Sequence, residues 1–372
     1  MTDVYVVGVG MTNFGRHEVG SGKRLAVEAS LRALGDAGLT FDKIDAVYAG
    51  TAHPLSPRGV FVAEELGLTG VPVQHLSNAS ATGLCVAHEA ISAIMSGRAE
   101  TVLAIGYDCP DTEMSTLSVI ANERQAPPIV PFALLAARRL QTGAAGEQHL
   151  AAIAAKNWNY ARNNPHAARR ASEPVTAEKV IRSKMAAAPL TAMMCTTWSE
   201  GAAAAVFCSG SALKRTQSVP IRAVASVFRT TSHEGGRGGA LEEQMAAARL
   251  VGTTALSKAG LRPADVDIVQ VHDAFAIEEM LYYESLGFSD PDETHLLIER
   301  GAFGPSSKQR FGLPEFSTDG GLIARGHPGG PTGLAQIWET ARRLRQANSD
   351  RVGLCHLIGL GGLSIGQVYA RD

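Results

Sequence analysis

The sequence is poor in cysteine, and its cysteines lack the spacing of a metal site or a disulfide framework. A structural zinc site uses closely spaced ligand pairs such as CxxC, and no CxxC motif occurs. We therefore expect no metal site, and reduced thiols of the kind found in the cytoplasm. The five cysteines, an odd number, are Cys85, Cys109, Cys195, Cys208 and Cys355.

The sequence also lacks an excess of charge and a long apolar run. Its 34 basic and 36 acidic residues leave a formal charge of −2, so no overall field attracts nucleic acid. No apolar segment reaches the ~18 residues that a transmembrane helix needs. The N-terminal MTDVYVVGVGMTNFG has no basic stretch before its apolar residues, unlike a signal peptide. We expect a cytoplasmic protein that neither enters a membrane nor binds nucleic acid.

An internal repeat is the first positive signal. The segment ALGDAGLTFDKIDAV at residues 33–47 returns as ALSKAGLRPADVDIV at residues 255–269, 222 positions later. Each copy has the pattern of a helix that ends at a glycine, Gly38 or Gly260, followed by an apolar strand. Strands and helices alternate around both copies, as is typical of α/β folds. We predict two α/β halves whose sheets pack around shared central helices.

The alternation of strands and helices stops in the middle of the chain. We predict an N-terminal half formed by residues 1–108 plus 196–220 and a C-terminal half at 221–372. Residues 109–195 would form a helical insertion, or loop domain, between them. From Lys156 to Lys184 the insertion carries seven basic residues against two acidic ones.

The basic residues of the insertion have two interpretations. Arg162, Arg169 and Lys184 are candidates for binding the phosphate groups of a ligand, because Arg and Lys donate charge-assisted hydrogen bonds. A solvated, charged helix surface is the alternative.

Four segments combine glycines or small residues with polar ones near the ends of apolar strands, where ligands of α/β sheets bind. They are SNASATGLCVAH (77–88), VQVHDAFA (269–276), STDGGLIARGHPGGPTG (317–333) and LCHLIGLGG (354–362). With VGVGMTNFG, AAIAAKNWNYARNNPHA and CTTWSEGAAAAVF, they resemble the thiolase superfamily. The resemblance is to the branch of sterol-carrier-protein-x and lipid-transfer-protein thiolases, and it covers almost the whole chain. It implies the duplicated five-layer αβαβα thiolase fold.

The resemblance places Ser80 where the family has its nucleophilic cysteine, within the otherwise intact frame NASATG. An alcohol needs a general base to attack a thioester, and His327 matches the activating histidine of the family. Cys85, five residues further on, is interpreted as a core cysteine. In HDAF, His272 and Asp273 match the family, whereas Ala274 replaces its proton-shuttling cysteine.

The remaining candidates surround this centre. Cys355 would replace the missing acid/base only if the strand register differs, because Leu357 aligns with the family's cysteine and lies two residues further along the same face. Asp273 would orient His272 or cap the following helix. His356 is a strand histidine common in this branch, and Ser317 stands where many relatives have asparagine. Gly320, Gly359 and Gly361 are candidates for presenting backbone N–H groups to an oxyanion.

The resemblance implies an acyltransferase of the thiolase superfamily that uses an acyl thioester of coenzyme A or of a carrier protein, without a bound cofactor. One alternative is a retro-aldol C–C lyase acting on a hydroxyacyl thioester, with His272, Tyr282 or Tyr283 as base. The other is a non-catalytic acyl-binding subunit. The resemblance further implies a homodimer with strand Thr101 to Tyr107 near its interface, and a small zinc-ribbon/OB-fold partner.

Overall fold

The main sheet has ten strands and is built from two halves with the same internal order. The computed structural model describes residues 2–109, 129–143, 145–230, 241–347, 351–359 and 362–372. The strands are β1 Val4–Met11, β2 Ala46–Gly50, β3 Val73–Leu76, β4 Thr101–Asp108, β5 Met185–Ala187, β6 Leu190–Thr191, β7 Gly201–Ser209, β8 Ile221–Arg229, β9 Ile268–Gln270, β10 Glu315–Phe316, β11 Val352–Ile358 and β12 Ser364–Ala370.

The helices lie on both faces of the sheet and between its halves. They are α1 Gly22–Ala37, α2 Gly59–Leu66, α3 Thr82–Met95, α4 Ile129–Gln141, α5 Glu147–Arg162, α6 Ala177–Ile181, α7 Leu241–Ala259, α8 Ala276–Ser285, α9 Thr294–Glu299, α10 Ser307–Phe311, α11 Gly321–Ala324 and α12 Thr332–Gln346. None of these described helices is both long enough and apolar enough to span a bilayer.

The strand order reveals the duplication. The first half runs β3-β2-β4-β7-β1 and the second runs β10-β9-β11-β12-β8. In each half the strands lie in the order third, second, fourth, fifth, first. The halves join where β1 pairs antiparallel with β8 through Tyr5↔Arg222 and Val6↔Ile221. The repeat seen in the sequence is therefore a repeat of topology.

The repeated segments also end their helices in the same way. Gly38 follows α1 with φ of 69°, and Gly260 follows α7 with φ of 70°. This left-handed conformation costs glycine little because it has no Cβ, and it closes the helix before the next strand begins.

Helices α3 and α12 form the central layer. α3 contacts β4 and β12, α12 contacts β7 and β11, and the two helices contact each other. Their crossing is close, because a Cβ on Gly83 would lie 2.8 Å from the backbone nitrogen of Leu334. Helix α1 covers the first half from outside and α7 covers the second. The predicted five-layer αβαβα architecture is confirmed.

The strand predicted to lie near a dimer interface, Thr101 to Tyr107, is an interior strand of the sheet, and its place relative to an interface stays a prediction. β4 is buried along its whole length and pairs with β2 on one side and β7 on the other. Both of its edges are therefore occupied within this chain, and the free edge of this half is that of β3. The homodimer itself stays a prediction, as do the domain bounds. Residues 110–128 of the predicted insertion lie outside the described residues.

Candidate active site

Ser80 lies in a tight turn between β3 and α3. Ala79 has φ of +49°, a left-handed conformation that non-glycine residues rarely adopt. The Thr82 hydroxyl stabilises the turn by donating to the Ala79 carbonyl at 2.7 Å and accepting from the Asn78 N–H at 2.8 Å. Ala81 holds the N-cap position of α3, without a side-chain cap. Ser80 is therefore not the helix cap, and its half-buried hydroxyl lies beside the positive end of the helix.

His327 contacts Ser80 from the second half of the chain. The Ser80 Oγ lies 2.9 Å from His327 Nε2, and the other ring nitrogen lies 2.9 Å from the Thr332 hydroxyl. Burial lowers the pKa of His327 well below its usual value, and the nearby His272 and Arg325 lower it further. The imidazole is therefore neutral near pH 7 and can accept the Ser80 proton.

His272 is the second histidine of the site. Its ring centroid lies 5.1 Å from that of His327, with the planes at 89°. Its Nδ1 lies 2.7 Å from Oε1 of Glu278, whose Oε2 accepts from the Ala274 N–H at 3.1 Å. Burial raises the pKa of Glu278, opposed mainly by the charge of His272. The predicted pair of histidines is thus brought together, and a carboxylate supports one of them.

Sequence reasoning missed Glu278. It lies in the first turn of α8, six residues after His272, where an acidic residue is ordinarily attributed to the helix dipole. Its complete burial distinguishes it from such a surface residue. The available signal was the spacing of six residues between His272 and Glu278. At this spacing, an acidic side chain in the first turn of the helix can reach back to the end of the preceding strand.

Asp273 has neither of the two roles predicted for it. Glu278 orients His272, and α8 begins after Phe275 without a side-chain cap. Asp273 instead accepts from the Leu322 N–H at 2.9 Å and from the Asn157 amide at 2.7 Å. Burial raises its pKa well above the usual value, and Glu279 adds to the rise. Asp273 therefore connects the strand end to α11 and to helix α5 of the insertion.

The glycines are brought to the site, but two of the predicted N–H groups are occupied. The amide of Gly320 donates to the Ser317 carbonyl and that of Gly359 to the Leu363 carbonyl, both at 2.9 Å. These amides are thus committed within the chain, contrary to the prediction that they face an oxyanion. A Cβ on Gly359 would lie 2.8 Å from the Asn78 carbonyl oxygen, so glycine permits close approach to the Ser80 turn. Gly361 lies outside the described residues.

Cys355 has the position of a core residue, unlike that expected of the missing acid/base. β11 pairs with β12 and β9 without a bulge. Its thiol lies 3.3 Å from the Thr340 hydroxyl in the central layer. Burial raises its pKa to about 12. Cys85 is likewise buried, with its pKa raised to about 12, in agreement with its interpretation as a core residue.

We expect Cys355 to resist alkylation in the folded protein. Iodoacetamide reacts with thiolates, and a fully buried thiol with a raised pKa offers neither access nor charge. Peptide mass spectrometry after labelling at about pH 8.5, near the pKa of a free cysteine, should find Cys355 unmodified, whereas urea-unfolded protein should be labelled. Labelling of folded protein at the rate of the unfolded chain would contradict this.

His356 and Ser317 have structural positions. His356 faces away from the central layer, with Nε2 2.8 Å from the Ser364 hydroxyl and its ring 5.2 Å from that of Tyr282. Burial lowers its pKa to about 3. Ser317 is fully buried with φ of +51°, and its hydroxyl has no partner among the described residues. Tyr283 stacks on Phe303 with ring centroids 3.8 Å apart.

The three predicted phosphate ligands do not share one surface. The guanidinium of Arg169 is half-buried, donates to the Cys195 and Ile323 carbonyls and lies over the Trp158 ring. Burial lowers its pKa to about 10. Arg169 therefore holds the backbone of the insertion to the core and is not a surface ligand. Lys184 is exposed.

A cavity of about 870 Å³ lies between α5 and α12, and Arg162 lines it together with Tyr160, Trp338 and Arg342. Its lining includes neither histidine of the site nor Ser80. Arg162 therefore belongs to a space separate from the reactive groups.

Known proteins resemble this chain in sequence and in fold. Residues 240–365 match the family model described as thiolase C-terminal domain-like. The acetyl-CoA acetyltransferase of Methanothermobacter thermautotrophicus is 31% identical, and the alignment covers 100% of both chains. Sterol carrier protein 2 of Gallus gallus is 30% identical, over 99% of this chain and 71% of that protein.

Among solved structures, the Ltp2-ChsH2(DUF35) aldolase superposes with a TM-score of 0.83 at 21% identity, covering 100% of this chain and 98% of that one. At that identity the likeness establishes the fold. The sequence relatives establish more, because an alignment at 31% identity covers the whole chain. The chain belongs to the thiolase superfamily and has homologues among the thiolases related to sterol carrier protein 2.

Proposed function

We propose that this protein is an acyltransferase in which Ser80 accepts the acyl group of a thioester. The observation that carries the proposal is the distance of 2.9 Å between Ser80 Oγ and the neutral ring nitrogen of His327. A hydroxyl becomes a useful nucleophile when a positioned base takes its proton. The full-length similarity to an acetyl-CoA acetyltransferase supports an acyl-CoA as the donor.

In the acylation step, His327 takes the Ser80 proton while Ser80 Oγ attacks the thioester carbonyl. The C–S bond then breaks, the proton passes from His327 to the departing thiolate, and an oxyester remains on Ser80. The start of α3 favours the oxyanion that forms beside it, because the helix dipole places partial positive charge there. Ala274 cannot ionise, so the carbon-deprotonating thiol of ordinary thiolase chemistry has no counterpart at that position.

The donor is a thioester of coenzyme A or of a carrier protein. Lys184 and Arg162 are the candidates for binding its phosphates, whereas the Arg169 guanidinium already donates to carbonyl groups of this chain. We also propose that the protein works as a homodimer and with a small zinc-ribbon/OB-fold partner. Support for a partner comes from the solved aldolase neighbour, whose name includes a DUF35 protein.

A retro-aldol lyase is the second candidate, and one observation favours it. His272 is supported by a buried carboxylate, and such a histidine can remove the hydroxyl proton of a hydroxyacyl thioester without any contribution from Ser80. The fold neighbour is itself an aldolase. In that reaction Ser80 would bind the thioester without forming a covalent bond.

Intact-protein mass spectrometry separates these functions. The protein is incubated with a panel of acyl-CoAs, acyl-carrier proteins and hydroxyacyl-CoAs, beside the Ser80→Ala variant. Acyl transfer predicts a mass increase equal to one acyl group, mapped to Ser80 and absent from the variant. Cleavage of a hydroxyacyl-CoA by both proteins, without an adduct, would instead establish the lyase. Binding without adduct or turnover would indicate the third candidate, a non-catalytic acyl-binding subunit.

A further inference from the structure

The Glu278 carboxylate determines which ring nitrogen of His272 carries the proton. Glu278 is fully buried, and each of its oxygens has a partner, His272 Nδ1 at 2.7 Å and the Ala274 N–H at 3.1 Å. Oε2 accepts from the Ala274 N–H and Oε1 faces Nδ1, so an ionised Glu278 favours the neutral His272 tautomer that carries its proton on Nδ1. The other ring nitrogen, Nε2, is left with a lone pair. His272 is therefore arranged as a proton acceptor towards its free side.

The two histidines are consequently two separate bases. His327 Nε2 is already committed to Ser80, and its Nδ1 contacts a hydroxyl instead of a carboxylate. His272 lies edge-to-face beside His327, with the ring centroids 5.1 Å apart, and its Nδ1 contacts the Glu278 carboxylate. A site with one nucleophilic hydroxyl needs one base to form the acyl-enzyme. The second base is available for the molecule that attacks the acyl-enzyme afterwards.

We infer that His272, held by Glu278, is the general base for an acceptor that bears an O–H group, so that the enzyme transfers acyl groups to alcohols and, without an alcohol, hydrolyses acyl thioesters. This inference rests on the proposed acylation of Ser80. His272 Nε2 takes the acceptor proton while the acceptor oxygen bonds to the acyl carbon. The bond from that carbon to Ser80 Oγ then breaks, and the proton is returned to Ser80 Oγ. Thioester plus alcohol thus gives ester plus thiol, and water gives the free acid.

Carbon acceptors fit this site less well. A carbon nucleophile forms only when a base removes a proton from carbon, and the position of the family's cysteine holds Ala274. The thiol of Cys355 is buried against Thr340. An imidazole supported by a carboxylate is the base that serine hydrolases use for O–H nucleophiles. The groups present at the site therefore suit an acceptor that attacks through oxygen.

The test separates the two half-reactions with acetyl-CoA as donor and water or added methanol as acceptor. Rapid-quench measurement of CoA release should show a burst close to the enzyme concentration, followed by slower turnover. In Glu278→Gln we expect the burst to stay within about two-fold, while the steady rate falls about 10²-fold and acetyl-Ser80 accumulates. Glu284→Gln, on the same helix but paired with Arg139, is the control and should behave as wild type. Methanol should divert product from acetate to methyl acetate.

The outcomes separate the inference from the function on which it rests. If wild-type protein shows neither a burst nor an acyl-Ser80 with any acyl-CoA or acyl-carrier protein of the panel, the acyltransferase proposal itself fails. If acetyl-Ser80 forms but Glu278→Gln releases it at the wild-type rate, only the role of Glu278 and His272 is overturned. Turnover that requires a second acetyl-CoA and yields acetoacetyl-CoA, with no methyl acetate, would overturn the oxygen acceptor. A smaller burst and slower release together would indicate a structural role for Glu278.

Discussion

Replacing Ser80 by alanine is expected to lower the acyl-transfer rate by about 10⁴-fold or more, the loss seen when a covalent nucleophile is removed from a catalytic group. The fold should be kept, because the Ser80 side chain is half-buried and makes its described contact to His327 alone. The rate is measured as CoA release from the acyl-CoA that gives the largest adduct. Thermal unfolding of the variant, unchanged from wild type, serves as the control for folding.

Replacing Ser80 by cysteine is expected to change the rate in the opposite direction. A thiol ionises near neutral pH far more readily than an alcohol, and the start of a helix favours the thiolate. The burst of CoA release should therefore accelerate, by about 10²-fold if proton removal limits acylation. Ser77→Cys adds a thiol at an exposed position three residues earlier and should leave the burst unchanged.

Two results would contradict the serine mechanism. Full activity in Ser80→Ala would show that Ser80 forms no covalent intermediate, and the lyase would then be the better function. A Ser80→Cys variant that reacts with iodoacetamide but never acquires an acyl group would show that this turn does not meet the thioester carbonyl.

Replacing Asp108 by alanine is the change with the second large expected effect, and it should lower both stability and activity. Its carboxylate accepts from the N–H groups of Ala52, His53 and Gly330 at 2.6 to 2.9 Å and from the Ser56 hydroxyl at 2.8 Å. Replacing it by alanine leaves these buried donors without partners, each at a cost of about 1–3 kcal/mol. We expect the free energy of unfolding, from urea titration at about pH 6, to fall by about 3 kcal/mol or more.

The activity of Asp108→Ala should fall too, because Gly330 belongs to the same loop as His327. Asp42→Ala, which alters an exposed aspartate of the first half, is the control and should change neither quantity. Unchanged stability in Asp108→Ala would mean that the two loops hold their positions without this carboxylate.

Stability should also depend on pH through Asp108. Burial raises its pKa from 3.8 to about 7, although the four donors oppose the rise. The folded chain therefore binds this proton more tightly than the unfolded chain does. Its contribution to stability is complete below about pH 3.8 and is lost as pH rises through about 7. The free energy of unfolding of wild type relative to Asp108→Asn should decrease between about pH 5 and pH 8. An increase over this range would contradict the raised pKa.

The sequence alone was sufficient to predict the architecture and to name Ser80 and His327 as a candidate pair. The repeat 222 positions apart encodes the same helix end and strand twice, and local patterns of this kind depend on backbone conformation, which nearby residues control. The frame around Ser80 and the GHP segment identified Ser80 and His327 by resemblance.

The tertiary structure decided the partners of each polar group. Asp108 was not found from the sequence, because its donors come from different segments, up to 222 residues away for Gly330. Glu278 has local partners, but its complete burial appears only in the folded chain. Arg169 looked like a surface ligand until its carbonyl partners were known.

Periodicity indicates which face of an element is buried, but not which side chain lies opposite. Hydrogen bonds and pKa shifts depend on distances of about 3 Å that only the packed chain defines. The sequence therefore indicated which segments form the candidate site, and the fold determined which histidine contacts a carboxylate and which glycine amides are already occupied.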